Sequence, residues 1–150
     1  MRAYLALALF LVVVLGGGTA IGLATLPGEW YAGLAKPSFN PPNWVFAPVW
    51  STLYVLIAVA GWRSWMRAPS GPPMQAWAVQ LALNFLWSPI FFGGHMIGAA
   101  FVVIAALLAS ILAFIKLSWP RDRVAAWLFV PYALWVAFAA LLNGALWWLN

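Results

Sequence analysis

Residues 30–50 read WYAGLAKPSFNPPNWVFAPVW. The stretch holds six aromatic residues, four prolines and a single charge, Lys36. Pro37, Pro41 and Pro42 rule out a continuous helix through its first half, because each lacks an N–H and biases the residue before it away from helical geometry. From Asn43 onward the residues suit an apolar helix. The stretch is therefore a junction between a loop and a helix, and the flanking sequence decides which kind of helix it enters.

Working outward, Ala3–Gly28, Pro37–Trp62 and Val124–Asn150 contain no charged residue. Between Ala68 and Ile115 the sole ionisable side chain is His95, beside the break at Gly93 and Gly94. A bilayer-spanning helix needs about 20 apolar residues. The chain thus holds five predicted spans, near 3–26, 43–65, 73–92, 96–117 and 121–148, in one domain of 150 residues. The PSGPP run at 69–73 is a tight linker. Composition agrees: 67% of residues are hydrophobic and 6% charged, against roughly 25% charged in soluble domains. The expected fold is an all-α integral membrane protein, a bundle of five transmembrane helices with a long ordered loop between helices 1 and 2. Arg2, the apolar run and small residues at Gly18 and Ala20 also fit a signal peptide. That run continues to Leu26, longer than a usual signal core, so a retained helix is expected.

Charge sets a direction. Arg2, Arg63, Arg67, Lys116, Arg121 and Arg123 fall on one side of a five-span chain, and Lys36 alone falls on the other. By the positive-inside rule the N-terminus is expected in the cytoplasm of a bacterial cell, and the C-terminus and the 30–42 loop outside. No basic cluster or stripe suggests nucleic acid.

The ionisable inventory excludes much chemistry. Glu29 and Asp122 are the only carboxylates and lie a membrane apart, so they form no acid–base pair. Asp122 suits the first turn of helix 5, where an anion complements the dipole, and Glu29 reads as an interfacial loop charge. No acid, lysine or arginine sits in mid-membrane, which argues against proton-coupled transport. His95 alone makes no metal site, and no cysteine is present. No metal or cofactor is expected.

Polar side chains within spans turn inward. Gln80 and Asn84 share a face of helix 3 with Trp87 and Phe91; Phe46, Trp50 and Tyr54 form a stripe on helix 2; Trp135, Ala139 and Asn143 form one on helix 5. One such stripe is ordinary packing, and a lone amide is often interhelical glue. Three in one small bundle favour an apolar, aromatic pocket with a few polar groups. Pro48, Pro89 and Pro131 interrupt the same three helices. Gly18 and Gly22 on helix 1, and Ala78 and Ala82 on helix 3, have small-residue spacing that serves either intrachain packing or a dimer contact.

The stretches WYAGLAKPSFNPPNWVFAPVWSTLY (30–54), QLALNFLWSPIFFG (80–93) and PYALWVAFAALLN (131–143) together resemble the TspO/translocator protein family, once called peripheral-type benzodiazepine receptors, in a bacterial-type form. The resemblance covers nearly the whole chain. It implies a five-helix bundle that often forms a homodimer in membrane lipid, with one pocket closed by the first loop as a lid. Matching family pocket positions are Tyr31, Pro41, Phe46, Trp50, Tyr54, Asn84, Trp87, Ser88, Phe91, Trp135 and Ala139, with Trp30 and the loop prolines closing over the ligand. The implied ligands are porphyrins, notably protoporphyrin IX, and related flat lipophiles, for sensing, sequestration or transport. The alternative is an enzyme that degrades porphyrin in light and oxygen through Trp50 and Trp135. Animal members carry a sterol-associated tyrosine and arginine after the helix 5 asparagine. Here Gly144 follows Asn143 and no tyrosine appears, which argues against sterol at that site.

Overall fold

A computed structural model describes residues 1–150. Five helices are long and apolar enough to cross a membrane: α1 (Arg2–Ala24), α2 (Asn43–Arg67), α3 (Pro72–Gly93), α4 (Ile97–Ser118) and α5 (Arg123–Leu149). There are no strands. Each lies within a few residues of its predicted span.

The helices close into a ring in which neighbours run α1, α2, α5, α4, α3 and back to α1. Both ends of the bundle are tied. At one end the Trp62 indole donates to the Ala3 carbonyl at 2.8 Å, and Arg63 pairs with Asp122, so the start of α1, the end of α2 and the start of α5 meet. At the other end lie the 25–42 loop, His95 and Asn150. Leu9, Val79, Val102 and Leu134 on the outer faces are more than half exposed. This is the surface a lipid-facing bundle presents, since in a bilayer such exposure carries no hydrophobic penalty. Exposed Trp44, Trp147 and Trp148 lie towards the loop end, and Trp65, Trp119 and Trp127 towards the basic end, the distribution expected of aromatic belts at two interfaces.

Proline shapes the helices without ending the spans. Pro48 falls in the first turns of α2, directly after a short 3-10 turn at Asn43–Val45, so little of the ladder is lost. Pro89 opens a π-helical turn, Pro89–Gly93, at the end of α3. Pro131 follows a break at Phe129 that divides α5 into Arg123–Leu128 and Val130–Leu149. A second π turn, Val12–Gly16 in α1, has no proline to mark it in the sequence. These irregularities are where helices part from straight packing.

The basic half of the bundle is filled. Ile57, Ile111, Phe114, Phe129 and Tyr132 are buried there in one cluster. Gly61 lies under the Trp77 indole, which donates to the Ile57 carbonyl at 2.8 Å. The loop half is not filled in this way, and it holds the cavity.

Candidate ligand-binding site

The cavity has a volume of about 560 Å³ and is walled by α1, α2, α3, α4 and α5 beneath the loop. Its walls are aromatic because the predicted stripes all turn inward. Phe46, Trp50 and Tyr54 of α2 face it, as do Asn84, Trp87, Ser88 and Phe91 of α3, and Trp135 and Ala139 of α5. Tyr31 contributes from the loop. No charged side chain lines it.

Pro41 is the exception among the predicted positions. It does not line the cavity, whereas its neighbours Asn40 and Asn43 do. Pro41 and Pro42 instead set the chain path into the 3-10 turn that starts α2. Trp30 likewise does not wall the cavity. Its ring stacks on His95 with centroids 4.1 Å apart and an 8° interplanar angle, and meets Phe91 edge-on at 5.7 Å. The lid therefore presents Tyr31 inward and Trp30 outward, as adjacent residues of one helical turn, Glu29–Ala32, must diverge. His95 has a φ of 56°. It is an exposed loop residue whose ring gives the Trp30 indole a surface to stack on.

The lid is tied at several points. Thr25 and Ser88 hydroxyls lie 2.6 Å apart at its root. The Lys36 ammonium donates to the carbonyls of Tyr31, Leu34 and Ala32 at 2.7, 3.2 and 3.3 Å, closing the end of the helical turn with a cation where the dipole is negative. The Asn150 side chain clamps Ala35: its Nδ2 donates to the Ala35 carbonyl at 2.9 Å and its Oδ1 accepts from the Ala35 N–H at 3.0 Å. Burial pushes the Tyr31 phenol above its ordinary value. Tyr31 therefore faces the cavity uncharged at neutral pH.

Two of the lining amides, Asn143 and Asn84, come from within the spans. Asn143 Oδ1 accepts from the Trp87 indole at 2.9 Å, and its Nδ2 donates to the Ile97 carbonyl at 3.0 Å. It fixes the Trp87 wall between α3, α4 and α5. Asn84 donates to the Tyr132 hydroxyl at 2.6 Å, and Tyr132 donates to Gln80. The alternatives of pocket and glue thus meet in one residue: Asn84 lines the cavity and also joins α3 to α5.

Sequence reading missed the α1 wall, Gly18, Thr19, Ile21, Gly22 and Leu23, together with Phe85, Leu142 and Leu146. The α1 residues have no aromatic or amide to mark them. Gly18 carried a signal in its spacing, and the structure assigns it a role: a Cβ there would overlap the Tyr54 ring, so the glycine makes room for the α2 stripe. Gly22 has open space around it, and Ala78 and Ala82 lie on the exposed face of α3.

The sequence profile of the TspO/MBR family matches residues 8–149. The chain is 41% identical over 140 residues to "Protein CrtK" of Rhodobacter capsulatus, covering 87% of this chain and 84% of that protein. It is 37% identical to the "Tryptophan-rich sensory protein" of Cereibacter sphaeroides, covering 92% and 87% of the two chains. It is 38% identical to the "Translocator protein" of Homo sapiens, covering 87% and 82%. With five membrane-length apolar helices and this likeness along nearly all its length, the chain is an integral multi-pass membrane protein that belongs to the TspO/MBR family.

Proposed function

We propose that the chain is a membrane receptor for flat lipophilic molecules, with porphyrins such as protoporphyrin IX as the ligand class, acting in tetrapyrrole sensing, sequestration or transport. The observation that carries this reading is the cavity: uncharged, walled by Trp50, Trp87 and Trp135, and covered by a pinned lid. Its volume of about 560 Å³ falls within the range of roughly 300–1,000 Å³ typical of small-molecule sites. Indole faces favour offset stacking against a flat conjugated ring. The names of the relatives, "Translocator protein" and "Tryptophan-rich sensory protein", agree with carriage or sensing. Since no lysine or arginine lines the cavity, a porphyrin would keep its carboxylates at the lid mouth, where water can solvate them. The assembly in this reading is a homodimer.

The test is a dark titration of purified protein with protoporphyrin IX, read by quenching of tryptophan fluorescence. Saturation at one ligand per chain is expected. Quenching that rises linearly without saturating is partition into detergent and rejects the reading. A second reading rests on one observation, that Trp50 and Trp135 wall the same cavity. It is light- and oxygen-dependent degradation of the bound porphyrin, with the excited ligand and dioxygen supplying the reactivity that the side chains lack.

A further inference from the structure

At the floor of the cavity, where the open half of the bundle meets the filled half, three uncharged polar side chains form a chain. Asn84 Nδ2 donates to the Tyr132 hydroxyl at 2.6 Å, and that hydroxyl donates to Gln80 Oε1 at 2.8 Å. Tyr132 and Gln80 have no exposed surface, and neither lines the cavity. Gln80 Nε2 is buried without a partner. Asn84 does line the cavity. One Nδ2 hydrogen is engaged with Tyr132, and Oδ1, which accepts no hydrogen bond within the chain, is the free acceptor that Asn84 offers, so in this arrangement the floor accepts.

The same heavy atoms support a second arrangement. A half-turn of a carboxamide exchanges its donor and acceptor, and a tyrosine hydroxyl carries one proton that rotates to suit. If all three groups turn together, Gln80 Nε2 donates to Tyr132, Tyr132 donates to Asn84 Oδ1, and Asn84 Nδ2 faces the cavity as a donor. Each arrangement makes two hydrogen bonds, and each leaves one end of the buried Gln80 amide unpartnered. The unpartnered amide end is what makes the choice open: a Gln80 bonded at both ends would hold one arrangement. Between near-balanced states a ligand selects the one it binds better.

We propose that Gln80, Tyr132 and Asn84 form a reversible hydrogen-bond relay that sets whether the cavity floor accepts or donates, so that the site takes flat lipophiles bearing either a ring N–H or a ring nitrogen lone pair. Gln80, which does not touch the ligand, is a positioning residue for that choice. The proposal rests on the cavity being a site for flat lipophiles.

Three tricyclic probes test it by fluorescence anisotropy: carbazole offers a ring N–H, acridine at mildly alkaline pH offers a lone pair, and anthracene offers neither. Gln80→Leu removes the acceptor of the Tyr132 proton. Asn84 Oδ1 is then the acceptor remaining in the relay, so the floor is held as a donor. Relative to wild type, carbazole affinity should fall about threefold to tenfold, acridine should bind as well or better, and anthracene should not change. In a Tyr132→Phe background the relay is cut, and adding Gln80→Leu should no longer affect carbazole. Gln80→Met, of similar length, replaces the leucine variant if that one does not fold. Equal changes for all three probes would make Gln80 a packing residue and overturn the relay. So would no change, or a carbazole loss that persists in the Tyr132→Phe background. If wild type fails to bind anthracene as well as the other two, the flat-lipophile reading itself falls; anthracene binding with unmoved ratios sinks the relay alone.

Discussion

Trp50 and Trp135 face one cavity from α2 and α5, and they separate holding a porphyrin from consuming it. Phenylalanine at either position keeps an aromatic wall and most of the buried area. An aromatic pair adds about 0.5–1.5 kcal/mol beyond burial, so dark affinity for protoporphyrin IX should fall by less than about tenfold. Phenylalanine is a far poorer electron donor than indole. If the tryptophans carry photochemistry, light-driven loss of the porphyrin band should drop sharply in Trp50→Phe and Trp135→Phe. Equal bleaching in wild type and both variants, on the samples used for the dark titration, would leave a receptor. Two glycines give a further contrast. Gly18→Ala places a methyl group in the Tyr54 ring, an overlap that should cost about 1–3 kcal/mol and push Tyr54 towards the ligand. Gly22→Ala meets no atom within 4 Å and should be neutral or stabilising, by up to about 1 kcal/mol from helix propensity. Thermal unfolding in detergent should rank them in that order, and a Gly18→Ala melting point equal to wild type would show that Tyr54 yields freely.

Among the elements, the lid has the most separable parts. Its root, turn and far end are held respectively by Thr25 with Ser88, Trp30 with His95, and Asn150 with Ala35. Asn150→Ala removes both bonds to Ala35, each worth about 0.5–1.5 kcal/mol net, without touching the cavity. Dissociation of bound protoporphyrin should speed up severalfold in stopped flow while association changes little, since a loosened lid releases more than it obstructs. Faster association with unchanged dissociation would mean the clamp bars entry instead. Replacing Pro41 and Pro42 together with alanine should weaken binding through lost preorganisation and leave the melting temperature close to wild type. An unaltered dissociation constant would confine the two prolines to guiding the chain into α2.

At the scale of the whole molecule, Asp122 ties the end of α2 to the start of α5. It accepts from Arg63 at 2.8 and 3.0 Å, from Arg67 at 3.1 Å and from the Ala125 N–H at 3.4 Å. Burial by itself would raise its carboxyl, but the two guanidiniums and the N–H outweigh this and hold it below its ordinary value. A lowered folded value means that this stability is present above the unfolded pKa of about 3.9 and is lost as pH falls through the folded one. Asp122→Asn should cost about 1–3 kcal/mol at neutral pH, and Asp122→Ala about 1 more because the cap is lost too. Melting curves at pH 7 and pH 3 should show the wild type losing part of its advantage over Asp122→Asn in acid; a constant difference would remove the ion pairs from the account. Orientation belongs to this scale as well. The six basic residues gather at one end of the bundle and Lys36 at the other, so a reporter fused at the C-terminus should be active only outside the cytoplasm. Cytoplasmic activity would invert the topology.

The sequence by itself determined the spans, their number and the identity of the inward faces. Those follow from local physics: uncharged runs of membrane length, and amides and aromatics repeating at helical spacing. Phe46, Trp50 and Tyr54 on α2, and Trp135 and Ala139 on α5, therefore turn up on the cavity wall as their spacing implies. What only the tertiary structure decided is which groups meet across helices. Nothing in the local sequence joins Asp122 to Arg63, Asn84 to Tyr132, Trp30 to His95 or Asn150 to Ala35, since each pair is separated by 48 or more residues. Pro41 sits beside the cavity and not in it, because its ring follows the turn into α2 while Asn40 and Asn43 reach inward. Periodicity fixes the face of one helix; partners depend on how five helices rotate and slide until their faces fill space together, a condition imposed by the whole bundle and carried by no single segment of it.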